Sequence, residues 1–296
     1  MQELLQKELI GRNGPLKNSV IKKMDLVGGG CIHQTWRLHI EGDRKVFIKV
    51  TSHKNFPRLQ FEAQGLKALN NFSNTELLVI PKPLAIQRLE NFSILLLPWL
   101  NFGSGNQVLL GKGLAHLHLS SSRQSNDHFG WAEDGFIGTG SQPGGFKKSW
   151  TECFTELRLK PQLMVANEWA LSENHAKEFL KRVNNFLKHH NPIPALVHGD
   201  LWSGNCAAQE DGKGILIDPA CWWADREVDI AMTRLFGGFS YDFYESYNEV
   251  WPIPNSAEKR TKIYNLYHLL NHANIFGGSY KDESLSLISK LERTIL

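Results

Sequence analysis

The segment from Met24 to Val50 reads as strands, with apolar and polar positions alternating through Thr35 to Ile40. A glycine run (Gly28, Gly29, Gly30) leads into Thr35 to Ile40, then a polar turn at Glu41 to Arg44, then Val46-Phe47-Ile48-Lys49-Val50. This predicts a hairpin with a glycine-rich entrance. Pro57 opens a different rhythm, in which Leu59, Ala63, Leu66 and Leu69 or Asn70 recur at helical spacing, with Glu62 among them. Pro81 to Ala85 and Ile94 to Leu97 predict two more strands, so this part of the chain reads β, β, α, β, β. After Pro98-Trp99-Leu100 the stretch 101–106 is polar and glycine-rich, and 108–119 is again helical in pattern. The division that follows is an N-terminal lobe over 1–98, a hinge over 99–106 and a larger, mostly helical C-terminal lobe over 107–296. The fold class is α+β with two lobes.

Within the second lobe, Ser120 to Gly145 is rich in Gly, Ser, Asp and Asn and is long for a connector, and such connectors are often functional. From Lys148 onward helical patterns dominate. Two short apolar runs interrupt them, Ala195-Leu196-Val197 and Ile215-Leu216-Ile217, each ending just before a polar cluster.

Composition adds mainly exclusions. A chain of 296 residues with 42% hydrophobic content can bury a sizeable core. Its 33 Lys and Arg against 30 Asp and Glu leave a scattered +3, which does not suit a nucleic-acid binder. The segment MQELLQKELIGRNG lacks the apolar run of a secretory signal, and no stretch reaches the roughly 20 apolar residues of a membrane span. A cytoplasmic protein with no membrane partner is expected; nothing in the sequence fixes an oligomeric state. Cys31, Cys153, Cys206 and Cys221 form no CxxC pair and are expected to be reduced thiols. His116 and His118 are two apart on a predicted helix and point in different directions, and His189-His190 is no better a metal pair.

The chemistry concentrates in His198-Gly199-Asp200-Leu201-Trp202-Ser203-Gly204-Asn205, with Asp218 13 residues further on at the end of an apolar run. Phosphoryl transfer asks for a carboxylate aimed at the acceptor hydroxyl and for oxygen ligands that hold Mg²⁺ on the phosphates. Asp200 and Asn205 have the Asp-x4-Asn spacing of kinase catalytic loops, and Asp218 stands where the second metal-binding carboxylate belongs. Either residue alone is equally a turn cap; the spacing, the preceding apolar runs and Asp218 together favour catalysis. His198 reads as a brace for the loop. Lys49 is the lone base in an apolar strand, and Glu62, 13 residues on, is placed to pair with it and hold it over the α- and β-phosphates of ATP. Gly28-Gly29-Gly30-Cys31-Ile32-His33 is an incomplete GxGxxG, with His33 at the last glycine's place. A plain turn explains it as well as a phosphate-covering loop does. Cys31 in that loop is either a thiol activated by backbone amides and a lysine or a small buried residue.

The chain resembles the fructosamine or ketosamine 3-kinases, relatives of the aminoglycoside and choline kinases. The likeness is carried by GGGCI at 28–32, FIKV at 47–50, Glu62, FGWAEDGFIGTGSQP at 129–143, RLKPQL at 158–163, LVHGDLWSGN at 196–205, IDPA at 217–220 and LFGGF at 235–239. The resemblance implies a protein-kinase-like fold and transfer of the ATP γ-phosphate to the 3-hydroxyl of a ketoamine sugar, free or on a glycated protein lysine, with release of the amine. It makes Asp200 the base, Asn205 and Asp218 the Mg²⁺ ligands, Lys49 and Glu62 the phosphate clamp, and the backbone of Pro98, Trp99 and Leu100 the adenine contact. Gly28, Gly29, Gly30, Cys31 and Ile32 cover the phosphates. Trp202 is placed to stack on the sugar, and Trp222 and Trp223 either line the acceptor pocket or pack in the core. Asp229 resembles an acid that braces the catalytic loop, while Arg226 and Glu227 read as a surface pair.

Asp218 is followed by Pro219 where protein kinases have Phe-Gly, and no APE-like element follows, which argues against a phosphorylation-switched protein kinase. A kinase of another hydroxylated amine, such as an aminoglycoside or choline, and an inactive nucleotide-binding scaffold are the alternatives.

Overall fold

The structure, a computed structural model, describes residues 1–28, 33–103 and 106–294. Helix α1 (Gln2–Ile10) precedes β1 (Ile21–Val27), β2 (Gln34–Ile40) and β3 (Lys45–Thr51), which join helix α2 (Phe56–Phe72). β4 (Leu78–Val79), β5 (Ala85–Arg88) and β6 (Ser93–Pro98) follow. The sheet runs β1-β2-β3-β6-β5, antiparallel throughout. The expected hairpin is present, with Trp36 opposite Ile48 and Thr35 opposite Lys49.

Period-two alternation divides this sheet between two cores. Leu38, Ile48, Val50, Ile94 and Leu96 face α1 with Leu5 and Leu9, whereas Leu95 and Leu97 face α2 with Leu59, Leu66 and Leu69. Lys49 lies opposite Leu95 and so projects toward α2. The strand predicted at Pro81 to Ala85 instead begins at Ala85, because Pro81 and Pro83 have no N–H to give a ladder; pairing starts with the Leu84 N–H on the Leu96 carbonyl.

Beyond β6, α3 (Val108–Ser122) starts the helical lobe. The connector after it is not irregular: it folds into β7 (Phe129–Trp131), β8 (Gly135–Ile137), β9 (Gly140–Gln142) and β10 (Gly145–Lys147). Next come α4 (Trp150–Phe154), a π-helical turn at Thr155–Leu159, α5 (Lys160–Ala166) and α6 (Glu173–Leu187). β11 (Ala195–Val197), β12 (Cys206–Ala208), β13 (Gly214–Leu216) and β14 (Trp222–Ala224) carry the polar clusters. α7 (Glu227–Leu235), α8 (Tyr241–Val250), α9 (Ala257–Phe276) and α10 (Ser279–Thr294) complete the chain. No helix of the described residues is long and apolar enough to cross a membrane.

The two lobes are joined by more than the hinge. β4 pairs parallel with β13, and one apolar cluster contains both α2 residues and Leu110, Leu114, Leu196, Leu216 and Phe243. Phe61 of α2 packs edge-on against Trp131 and Phe136, and Arg58 donates to the Thr139 carbonyl at 3.2 Å while covering the Phe136 ring at 5.3 Å. The ring of Phe61 fills the space that a side chain at Gly135 would need.

Candidate active site

The loop 198–205, the candidate catalytic loop, leaves the buried end of β11. Gly199 has φ +81°, and a Cβ there would lie 2.1 Å from the Ala220 carbonyl, so only glycine allows this turn. Asp229, fully buried at the start of α7, accepts the N–H of His198 (2.7 Å) and of Gly199 (2.9 Å), and pairs with His118 Nε2 at 3.1 Å. Burial alone would raise its pKa, but His118, His198 and the Gly199 N–H hold it below the ordinary value. His198 donates from Nε2 to the Ile217 carbonyl (2.8 Å) and accepts the Asp200 N–H on Nδ1 (3.3 Å). It thus ties the loop to the segment that delivers Asp218, and burial keeps it neutral by lowering its pKa.

Asp200 and Asn205 meet: Asn205 Nδ2 donates to the Asp200 main-chain oxygen (2.9 Å) and to its carboxylate (3.0 Å). Burial pushes the Asp200 carboxyl up to about 7; the Asn205 bond opposes the rise and the charges of Asp218 and Asp229 add to it. A carboxyl poised near neutrality suits a group that takes a proton from an alcohol. Asp218 has φ +54°, strained for a non-glycine residue, and its side chain is 45% exposed.

Lys49 Nζ lies 2.9 Å from Glu62 and 2.6 Å from Asp218. Burial disfavours its charge, but Asp218 and then Glu62 outweigh that and raise its pKa, so it stays an ammonium. Glu62 is itself pushed up by burial against the pull of Lys49. Helix α2 sits directly on the segment after Asp218, where Gly65 leaves room for Pro219 and Cys221. His33 is held neutral, its pKa lowered to about 4 by burial and by the nearby Lys49 and Arg58.

At the hinge, Pro98 pairs with Val46 and the Trp99 N–H reaches the Lys45 carbonyl at 3.4 Å. The Trp99 ring tilts onto Phe47 with Arg37 above it, and Leu100 is half-buried. Gly28 is exposed with open space around it, whereas Gly29, Gly30, Cys31 and Ile32 lie outside the described residues.

The three tryptophans separate. Trp202 is 38% exposed and its ring covers Gly204, where a Cβ would approach it to 2.3 Å. Trp222 is not a pocket residue: it is fully buried, stacked on Trp150 at 5.6 Å with the Arg158 guanidinium 4.1 Å from its ring. Trp223 projects to the opposite face of β14 and packs edge-on against Phe72, away from Trp222's surroundings. Arg226 and Glu227 are likewise not a surface pair. Both are buried with different partners: Arg226 with Tyr247, Trp251 and Pro252, Glu227 with Arg260 in two 2.7 Å bonds. His190, Asp225 and Glu227 cluster beneath them, but Arg260 and Tyr264 already engage the carboxylates.

Sequence reasoning passed over the support for the loop after Asp218. Gln142 of β9 donates to the Ala220 carbonyl (3.3 Å) and accepts from Tyr267 (3.0 Å), and Arg158 donates to the Pro143 carbonyl (2.8 Å). These residues sit within the 129–143 and 158–163 segments, whose residue types alone announce no chemistry.

Residues 7–294 match the family model described as fructosamine kinase. The chain belongs to the fructosamine kinase family. A probable ketoamine kinase of Synechocystis sp. is 38% identical over 92% of this chain and 91% of its own, and one from Vibrio vulnificus is 35% identical over 92% and 93%. A solved structure from Haemophilus somnus 129PT assigned as a fructosamine-3-kinase superposes with TM-score 0.83 at 30% identity, covering 92% of each chain. A choline kinase from Streptococcus pneumoniae shares the fold, with TM-score 0.64 at 14% identity over 98% of this chain and 99% of that one. Membership makes this protein a ketoamine kinase, a phosphotransferase with an alcohol acceptor, in a protein-kinase-like α+β fold.

Proposed function

We propose that the protein transfers the γ-phosphate of ATP to the 3-hydroxyl of a ketoamine sugar, a fructosamine or ribulosamine, free or on a glycated protein lysine. The 3-phosphate then eliminates and frees the amine, which is deglycation. The observation that carries this reading is the pairing of two hydrogen-bonded groups, Asp200 with Asn205 and Lys49 with Glu62 and Asp218, whose segments are joined by the Ile217 N–H on the Asn205 carbonyl at 3.0 Å.

Asp200 accepts the proton of the acceptor hydroxyl as its oxygen attacks phosphorus. Asn205 holds that carboxylate in place through Nδ2 and, with that nitrogen committed, presents Oδ1. Together with the half-exposed Asp218 carboxylate this is a set of hard oxygen donors, which fits Mg²⁺. When bound, the ion neutralises charge on the β- and γ-phosphates. Lys49, kept charged and aimed by Glu62, binds the α- and β-phosphates, and Asp218 is its partner until nucleotide arrives. The backbone of 98–100 receives adenine. Trp202, beside the base and open to solvent, stacks on the apolar face of the sugar.

The test is coupled ADP release on a panel of fructosamines, ribulosamines, aminoglycosides and choline, with phosphorus NMR to locate the phosphate. Turnover of ketoamines at the 3-hydroxyl is expected. Phosphorylation of an aminoglycoside or choline with silence on every ketoamine would overturn the reading. Asp200→Asn should abolish turnover while nucleotide still binds; a variant that keeps turnover removes Asp200 from the base's role.

A further inference from the structure

The LFGGF segment has no part in the chemistry above, yet it is held against the catalytic loop. Gly237 and Gly238 have φ +72° and +91°, and a Cβ on Gly238 would come within 2.5 Å of Ser203 Cβ. Gln107 fastens the turn from the other side, donating to the Gly238 carbonyl (3.0 Å) and accepting the Ser240 N–H (2.7 Å). This close approach sets Phe236 edge-on to Trp202 at 6.5 Å.

From Phe236 an aromatic row continues away from the base. His272 is 4.9 Å from Phe236, Phe276 is 5.7 Å from His272, and Tyr280 lies 5.3 Å from His272 and 6.4 Å from both phenylalanines. Gly277 and Gly278, both at positive φ, turn α9 into α10 so that Phe276 and Tyr280 converge. His272 donates from Nδ1 to the His268 carbonyl (2.9 Å), and its burial favours the neutral ring, an apolar member of the row. The row is open to solvent: Phe276 is 58% exposed, Trp202 38% and Phe236 36%. Contiguous exposed aromatics mark a binding surface.

We propose that Trp202, Phe236, His272, Phe276 and Tyr280 form the subsite for the substituent carried on the acceptor's amine, and that it selects ketoamines bearing aromatic or long alkyl amines. The inference rests on the ketoamine reading above. With the 3-hydroxyl at Asp200 and the sugar on Trp202, the substituent on the C1 amine is the part of the acceptor that reaches beyond the sugar. The aromatic surface continuous with Trp202 is this row. The protonated amine then sits over an electron-rich face, and its apolar substituent covers the remaining rings.

The experiment compares kcat/KM for the fructosyl adducts of benzylamine and methylamine. The wild type is expected to prefer the benzyl adduct. Phe276→Ala, at an exposed position outside the catalytic machinery, should lower kcat/KM for the benzyl adduct about tenfold through KM and leave the methyl adduct unchanged. Tyr280→Ser should act in the same direction. Equal preference in the wild type, or a ratio unmoved by both variants while ketoamines are still phosphorylated, overturns the subsite alone. Absence of all ketoamine turnover overturns the substrate reading and the subsite with it. An unchanged ratio together with a shift from dimer to monomer in Phe276→Ala, read by light scattering, would make the row a contact between copies and overturn the proposal.

Discussion

Asp229→Asn keeps the shape of the brace under the catalytic loop and removes its charge. Three donors converge on this fully buried carboxylate: the His198 N–H and His118 on Oδ2, the Gly199 N–H on Oδ1. The amide costs least with its nitrogen at the Oδ1 position, which leaves the Gly199 N–H facing another donor, a loss of about 1–3 kcal/mol. The two bonds that remain drop from charge-assisted to neutral strength, a further ~1 kcal/mol each. The sum, about 3–5 kcal/mol, is a large part of the 5–15 kcal/mol typical of a folded domain but within it. Urea unfolding followed by tryptophan fluorescence should therefore show a midpoint lower by about 1–1.7 M, for a slope of about 3 kcal/mol per M. Because Gly199 immediately precedes Asp200, kcat should fall about 100-fold as the base loses its position. The sign of the pH effect follows from the depressed pKa of Asp229 in the fold. Its contribution is present above the unfolded value of about 3.9 and lost as pH falls through the lower folded value, so the variant should lose less stability on acidification than the wild type. A variant whose midpoint stays within about 0.2 M of the wild type refutes the brace.

Two further outcomes follow from the site. The raised pKa of Asp200, about 7, places the acid limb of kcat/KM there: the rate should climb tenfold per pH unit below it and level above, and a flat profile through neutrality would contradict the role. Gly238→Ala puts a Cβ at φ +91° against Ser203, which costs about 1–2 kcal/mol locally and shifts the catalytic loop. Turnover should fall at least tenfold while the dissociation constant for nucleotide, measured by titration calorimetry, holds; normal turnover would show the contact to be slack.

What could be read in advance was whatever local spacing determines. The run 46–50 is apolar but for Lys49, and one strand register turns that residue toward α2 and Glu62. Asp200 and Asn205 belong to one short loop whose geometry follows from its glycines and flanking strands, so their meeting was legible, and the Ile217 N–H on the Asn205 carbonyl brings the Asp218 segment alongside. Trp222 and Trp223 were ambiguous because adjacent strand residues point to opposite faces and nothing local says which face is core; β14 turns both inward, onto Trp150 and onto Phe72. Arg226 and Glu227 looked like surface charges since their partners, Trp251 just past α8 and Arg260 in α9, lie 25 and 33 residues further along the chain. The 129–147 segment looked like loop because its strands are three residues each, too short to show a period, and pair mostly with one another or with β14.

That segment has a consequence for control. In enzymes of this architecture the helix bearing the glutamate partner of the lysine is the part a regulator can swing outward to silence the site. Here α2 is riveted: Phe61 is wedged at Gly135 between Trp131 and Phe136, Arg58 is bonded to Thr139, and Gly65 lies flush on Pro219 and Cys221. Dislodging Glu62 would mean tearing an aromatic joint out of the lower lobe as well as breaking an ion pair. Moving Glu62 off Lys49 is therefore coupled to parting α2 from the second lobe and is not a free swing of one helix.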